Sequence, residues 1–265
     1  MDTGKWLAGP QEISGHAGAS PARPKMFCFP HAGGGASFYR NWERNLRGLA
    51  DVRAVQLPGR EERFREPRYY SIHRLADALF EAEEGRGWFD GACILFGHSM
   101  GAKIAFEVAR RLVLQGRPPA LLLVSGSRPV HMPPRKLLSD LPDEAFDAEL
   151  RQLAGTPEEI LREPDLMRMF RPLLRADFAM DESYVCDACL DVPLCVFSGD
   201  ADDEVCRQDL EAWREQTRGA FAAHILPGDH FFLKKDEDTF LMLLREELGR
   251  MLVIHSVITE GIKVG

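Results

Sequence analysis

The sequence predicts an α/β fold: a mostly parallel sheet with helices on both faces and a helical insertion. Three observations predict it. Short apolar runs alternate with longer stretches of helical period, the runs are apolar nearly throughout rather than at every second position, and the intervening stretches are long enough for crossover helices. Continuous apolar runs suit strands covered on both faces, and parallel neighbours need a crossover of about a dozen residues or more. At 265 residues, with 45% hydrophobic and 28% charged side chains, the chain can build one large core. Collagen-like, low-complexity and wholly disordered readings are excluded.

Residues 1–24 are rich in Gly, Ala, Pro and Ser without a sustained period and read as a disordered lead-in. The fold then spans 25–253, with strands expected at 26–29, 52–57, 92–96, 120–124, 194–197 and 221–226. Ser71 is placed to cap a helix carrying Leu75, Leu79 and Phe80, and Ile104, Val108 and Leu112 mark one face of another. From about 128 to 190 the alternation breaks. Pro142 stands where a first helical turn begins, with Phe146, Leu150 and Leu153 following at helical spacing, and Met167, Phe170, Leu174 and Phe178 mark a later helix. Helices inserted over the end of a sheet are expected to form a lid, the alternative being that they merely extend the core. Residues 254–265 read as a C-terminal tail.

Lys and Arg number 33 against 41 Asp and Glu, and the net charge of −8 argues against a nucleic-acid binder that relies on broad phosphate neutralisation. The N-terminal stretch has no apolar h-region and no run reaches membrane-spanning length, so neither a membrane nor a nucleic-acid partner is expected and the location expected is cytoplasmic. Of the six cysteines, Cys186-x-x-Cys189 has the spacing of a half zinc site or redox pair, but no second pair and no thioredoxin-like setting accompany it. No metal site is expected.

The strongest local signal is Gly97-His98-Ser99-Met100-Gly101, entered from an apolar strand and left through a helical pattern. A serine on such a strand-to-helix turn projects its hydroxyl above the sheet edge. Flanking side chains larger than hydrogen would collide with the adjoining strand and helix. Ser99 is therefore the candidate nucleophile. A serine hydroxyl needs a base, and the base an orienting acid. His230 follows the last strand, and Asp200, Asp202 and Asp203 crowd the turn after the fifth. Asp202 stands three residues past the strand-ending Gly199, far enough round to face a histidine on the neighbouring loop, whereas Asp200 is read as capping the turn. His98 should point away from the nucleophile. His73, His131, His224 and His255 read as surface or packing residues. After the first strand, His31-Ala32-Gly33-Gly34-Gly35 lets the backbone approach an oxyanion, with the N–H groups of Ala32 and Met100 as the expected donors.

Together, Phe29-Pro30-His31-Ala32-Gly33-Gly34, Leu57-Pro58-Gly59-Arg60-Glu61, Phe96 to Ala102, Leu174-Arg175-Ala176-Asp177, the Gly199-x-x-Asp202 turn, Trp213 and Pro227 to Phe232 resemble the type II thioesterases of polyketide and nonribosomal peptide synthases, and the similar medium-chain thioesterase of fatty-acid synthesis. The resemblance implies an α/β-hydrolase fold, a Ser99–Asp202–His230 triad and an oxyanion hole from the backbone of Ala32 and Met100. It implies editing hydrolysis of acyl thioesters on the phosphopantetheine arm of acyl or peptidyl carrier proteins, which would be the partners, with no cofactor. Met167, Phe170 and Phe178 are expected to line an acyl channel. The segment Arg60, Arg63, Arg65 and Arg68 is either a carrier-facing cationic surface or a solvated loop. The rival readings are a carboxylesterase or lipase on free oxygen esters, and an inactive protein that docks on a synthase.

Overall fold

A computed structural model describes residues 6–8, 23–153 and 155–261, with 251–261 described as backbone only. Its strands are β1 (Lys25–Phe29), β2 (Asp51–Ala54), β3 (Cys93–His98), β4 (Leu121–Ser125), β5 (Leu194–Gly199) and β6 (Phe221–Leu226). The helices are α1 (Trp42–Asn45), α2 (Ile72–Glu83), α3 (Met100–Leu114), α4 (Asp143–Leu153), α5 (Glu158–Arg162), α6 (Pro164–Glu182), α7 (Arg207–Ala212), α8 (Phe232–Lys235) and α9 (Glu237–Gly261). The strands form one sheet in the order β2-β1-β3-β4-β5-β6, every neighbouring pair parallel.

The continuous apolar runs resolve into two alternating sets, because successive side chains on a strand point to opposite faces. Phe27, Phe29, Leu95, Leu122, Val124, Leu194 and Val196 face one core, shared with Leu75 and Leu79 of α2 and Ile104, Ala105 and Val108 of α3. Met26, Cys28, Ile94, Phe96, Leu121, Leu123, Cys195 and Phe197 face the other, shared with Trp42 of α1, Phe232 of α8 and Phe240 and Leu244 of α9. A strand buried on both sides cannot display the hydrophobic-polar alternation of a half-exposed one. Helices α4, α5 and α6 lie between β4 and β5, with their own apolar cluster of Leu138, Phe146, Leu150, Leu161, Met167 and Leu174.

The topology fixes where a ligand can sit. The chain leaves β1 for the edge strand β2 and returns across β1 to β3, so the direction of winding reverses between β1 and β3. Open parallel sheets bind ligands outside the carboxyl ends of the strands at such a reversal. The loops that begin at Pro30 and Ser99 both emerge there.

Several expectations need correction. The second strand pairs with β1 only over Asp51–Ala54. Val55 instead bridges antiparallel to Leu7, with Ala8 N–H donating to the Ala54 carbonyl at 3.0 Å and Gln56 N–H to that of Trp6 at 2.8 Å. Of the lead-in expected to be disordered, 1–5 and 9–22 lie outside the described residues, but Trp6 is buried, with the Arg63 guanidinium 4.4 Å from its ring centroid. Composition registers neither the free groups of an edge strand nor one indole that finds a seat. Ser71 occupies the N-cap of α2, yet only its backbone takes part, its carbonyl accepting from Leu75 N–H at 3.0 Å. No break separates a tail at 253: α9 runs on to Gly261, and 262–265 lie outside the described residues.

Candidate active site

The turn between β3 and α3 is built around Ser99, which takes φ 55° and ψ −122°. A non-glycine residue at positive φ is strained, and the surrounding contacts hold it there. Ser99 N–H donates to the Ser125 carbonyl at 2.8 Å, and its carbonyl accepts from Ala102 N–H at 2.9 Å. The flanking glycines are sterically required: a Cβ on Gly97 would fall 2.0 Å from the Gly101 carbonyl oxygen, and one on Gly101 2.1 Å from that of Phe29. Met100 opens α3, so its N–H is among the donors a helix leaves without an internal partner at its N-terminus.

Ser99, His230 and Ala32 line one cavity of about 330 Å³ at the carboxyl ends of the strands, a size that suits a small-molecule site. His230 Nδ1 lies 2.9 Å from Asp202 Oδ2, and the Asp202 side chain is fully buried. The other oxygen, Oδ1, accepts from the N–H groups of Glu204 at 2.9 Å and Val205 at 3.2 Å, so the carboxylate is satisfied without bulk water. Asp200 turns elsewhere and accepts from Gly228 N–H at 2.8 Å, tying the β5 loop to the β6 loop rather than capping its own turn. The geometry thus picks Asp202 out of its acidic neighbours as the partner of His230.

Two further histidines stand near His230: His31, which also lines the cavity, and His98, which does not. His98 lies in the core beside His230, ring centroids 5.1 Å apart, with Nδ1 3.1 Å from Ser125 Oγ. His31 packs edge-on against Phe38 and Phe231. Burial above all, then the nearby His230 and Arg60, lowers the His31 pKa to about 3, and burial likewise pushes that of His98 well down. Both rings stay neutral at pH 7. A positive charge forming on His230 therefore meets one buried carboxylate and no cationic histidine beside it.

Leu138, Leu150, Leu153, Leu174 and Phe178 supply much of the cavity's apolar wall, while Arg128, Arg135, Lys136, Asp203 and Glu204 add charged groups. Of Met167, Phe170 and Phe178, expected to line an acyl channel, Phe178 lines this cavity. Met167 and Phe170 do not: Met167 is buried in the cluster of α4, α5 and α6, and Phe170 packs against that cluster and Phe64. The apolar stripe of α6 is continuous, but its first turns reach past the cavity onto α4 and α5. Arg60 and Arg63 are also not where a partner could meet them, since both are about 5% exposed and engaged within the protein.

Cys186-x-x-Cys189 gathers no further ligands among the described residues. A different trio does come together there, Cys195, His224 and Glu247, with ligand atoms within 4.8 Å of one another. It lies between β5, β6 and α9, outside the cavity, and Glu247 is already paired with His224 at 3.0 Å and Arg250 at 2.9 Å. No helix among the described residues is long and apolar enough to cross a membrane.

A family model described as a thioesterase domain matches residues 24–247. The gramicidin S biosynthesis protein GrsT of Aneurinibacillus migulanus is 38% identical over 237 residues, covering 88% of this chain and 92% of that protein. Thioesterase PikA5 of Streptomyces venezuelae is 38% identical over 212 residues, covering 79% and 75%. Among solved structures, the type II thioesterase BorB from the borrelidin biosynthetic cluster aligns with a TM-score of 0.77 at 36% identity, over 92% of this chain and 97% of that one.

Proposed function

The chain belongs to the thioesterase family and is an acyl-thioester hydrolase of the serine-hydrolase type with an α/β-hydrolase fold, and from that premise we propose a type II editing role with Ser99 as nucleophile. The substrate is an acyl group on the phosphopantetheine arm of a carrier protein of a polyketide or nonribosomal peptide synthase, and the enzyme works in the cytoplasm beside that synthase. One observation supports the site assignment above the rest: Ser99 and His230 line a single cavity, and His230 is bonded to a fully buried Asp202.

The chemistry proceeds in two halves. Ser99 Oγ attacks the thioester carbonyl carbon while His230 Nε2 takes the hydroxyl proton, and Asp202 holds the ring by its Nδ1 side and stabilises the imidazolium. The negative charge on the carbonyl oxygen is met by the N–H groups of Ala32 and Met100. Collapse breaks the C–S bond, the thiol leaves with the proton from His230, and the acyl group remains on Ser99 as an ester. Water, deprotonated by His230, then attacks that ester; the carboxylic acid departs and Ser99 recovers its proton. Leu174 and Phe178 provide an apolar wall for the chain.

Intact-mass measurement of carrier proteins loaded with short and medium acyl chains tests the reading. Loss of the acyl mass, abolished by Ser99→Ala, is the expected result. The oxygen-ester alternative is disfavoured by relatives named as thioesterases. Turnover of oxygen esters equal to or faster than thioesters of the same chain would reverse that judgement.

A further inference from the structure

The loop after β1 is gripped by residues far from it in sequence. Gly34 N–H donates to the His31 carbonyl at 3.0 Å and Gly33 takes φ +77°, the geometry of a type II turn with Ala32 and Gly33 at its centre. Type I and type II turns differ by a flip of the central peptide, which moves ψ of its first central residue by about 150°. Here that peptide joins Ala32 to Gly33. Its N–H donates to Asp177 Oδ2 at 2.7 Å, across 144 residues of sequence. A flip would remove this donor and aim the Ala32 carbonyl toward a buried carboxylate.

Asp177 is itself fixed. Arg60 grips it with both arms, Nη1 to Oδ2 and Nη2 to Oδ1 each at 2.8 Å, and Nη1 also donates to the Gly34 carbonyl at 3.2 Å. Both side chains are buried, 5% exposed for Arg60 and 1% for Asp177, where such a fork is far stronger than on the surface. Further along the loop, Gln56 Oε1 accepts from Ala36 N–H at 3.2 Å and Glu61 Oε1 from Ser37 N–H at 3.3 Å. Asp177 belongs to α6, the helix whose Leu174 and Phe178 wall the cavity.

We infer that Asp177, clamped by Arg60, is a positioning residue for the oxyanion hole: with Asp177 bonded to the Gly33 N–H and Arg60 to the Gly34 carbonyl, the pair anchors the loop that carries Ala32 and so keeps the Ala32 N–H aimed at the reacting carbonyl. Ala32 lies between β1 and this anchored peptide, so loosening the anchor at Gly33 and Gly34 lets the donor shift with the loop. The helix that receives the acyl chain thereby also sets the donor. This inference rests on the thioesterase reading and on Ala32 as donor.

The test compares wild type with Asp177→Asn and Arg60→Lys on one soluble acyl thioester, using two inhibitors of equal chain length. A trifluoromethyl ketone adds Ser99 and forms an oxyanion; a thioether lacks the carbonyl. Asp177→Asn should lose about a hundredfold in kcat with KM little changed, the scale of a lost oxyanion donor. Its affinity for the ketone should fall in parallel and that for the thioether should hold. The pH midpoint of kcat/KM should not move, because the Asp202–His230 pair is untouched. Arg60→Lys, which keeps the charge but not the fork, should fall between, and it carries the test if Asp177→Asn does not fold. Wild-type kcat in a folded variant, or equal weakening of both inhibitors, overturns the positioning role. Absence of wild-type turnover, or turnover that survives Ser99→Ala, overturns the thioesterase reading instead.

Discussion

Three aspartates stand within four residues of one another at the end of β5, and their surroundings separate them. Asp202 is fully buried, bonded to His230 and two backbone N–H groups, whereas Asp200 is exposed and clasps Gly228. Asp202→Asn should keep the fold but lower kcat by about four orders of magnitude, because an amide favours the wrong histidine tautomer. Asp200→Ala should leave kcat near wild type and cost about 1 kcal/mol in stability. Turnover assays with thermal melts on both variants check this; comparable loss of turnover in the two would undo the assignment. Asp202 was partly legible in the sequence, since distance past the strand end limits which side chain can turn back. His31 and His98 were not, because what makes them neutral is burial by Phe38, Phe231 and each other, which local spacing does not encode.

At the scale of elements, the strand-turn-helix around Ser99 was the most legible part of the molecule, because its geometry is dictated by neighbours within a few residues. Gly97→Ala forces a Cβ against the Gly101 carbonyl, and a denaturant midpoint should record a loss of about 1–3 kcal/mol or more. The inserted helices were legible as helices and less so as surfaces: a stripe reveals that a face is apolar, not which neighbour it meets. Met167 and Phe178 share α6 but have different fates, and this separates their expected effects. Met167→Ala should destabilise the α4–α6 cluster by about 2–5 kcal/mol with chain preference unchanged. Phe178→Ala should widen the cavity and shift the ratio of kcat/KM values toward longer or bulkier acyl groups. A shift in preference for the first and none for the second would contradict this placement. The buried Arg60–Asp177 fork joins residues 117 apart, and no local pattern announces such a partnership.

For the whole molecule, the two neutral histidines make stability depend on pH. The His31 pKa falls from an ordinary 6.5 to about 3 on folding and that of His98 also falls, so below pH 6.5 the unfolded chain binds protons that the folded one refuses. Stability is therefore complete above that value and declines as pH drops, by up to about 1.4 kcal/mol per pH unit for each histidine. Glu107, lowered from 4.5 to about 2, adds its own loss only below about pH 4.5, so a fall in melting temperature between pH 7 and 5 does not come from it. A flat profile there would rule the effect out. The parallel sheet as a whole was foreseeable from its apolar runs, but its flank was not. With Leu7 bridged to Val55 and Ala8 bonded to Ala54, one side of the sheet already has a guest at the end of β2. A shortened recombinant form starting at Lys25 would evict that guest and bare a template for strand addition, inviting copies to join edge to edge. Trp6–Ala8, in a stretch that looks dispensable on paper, thus guard the end of that edge against self-association.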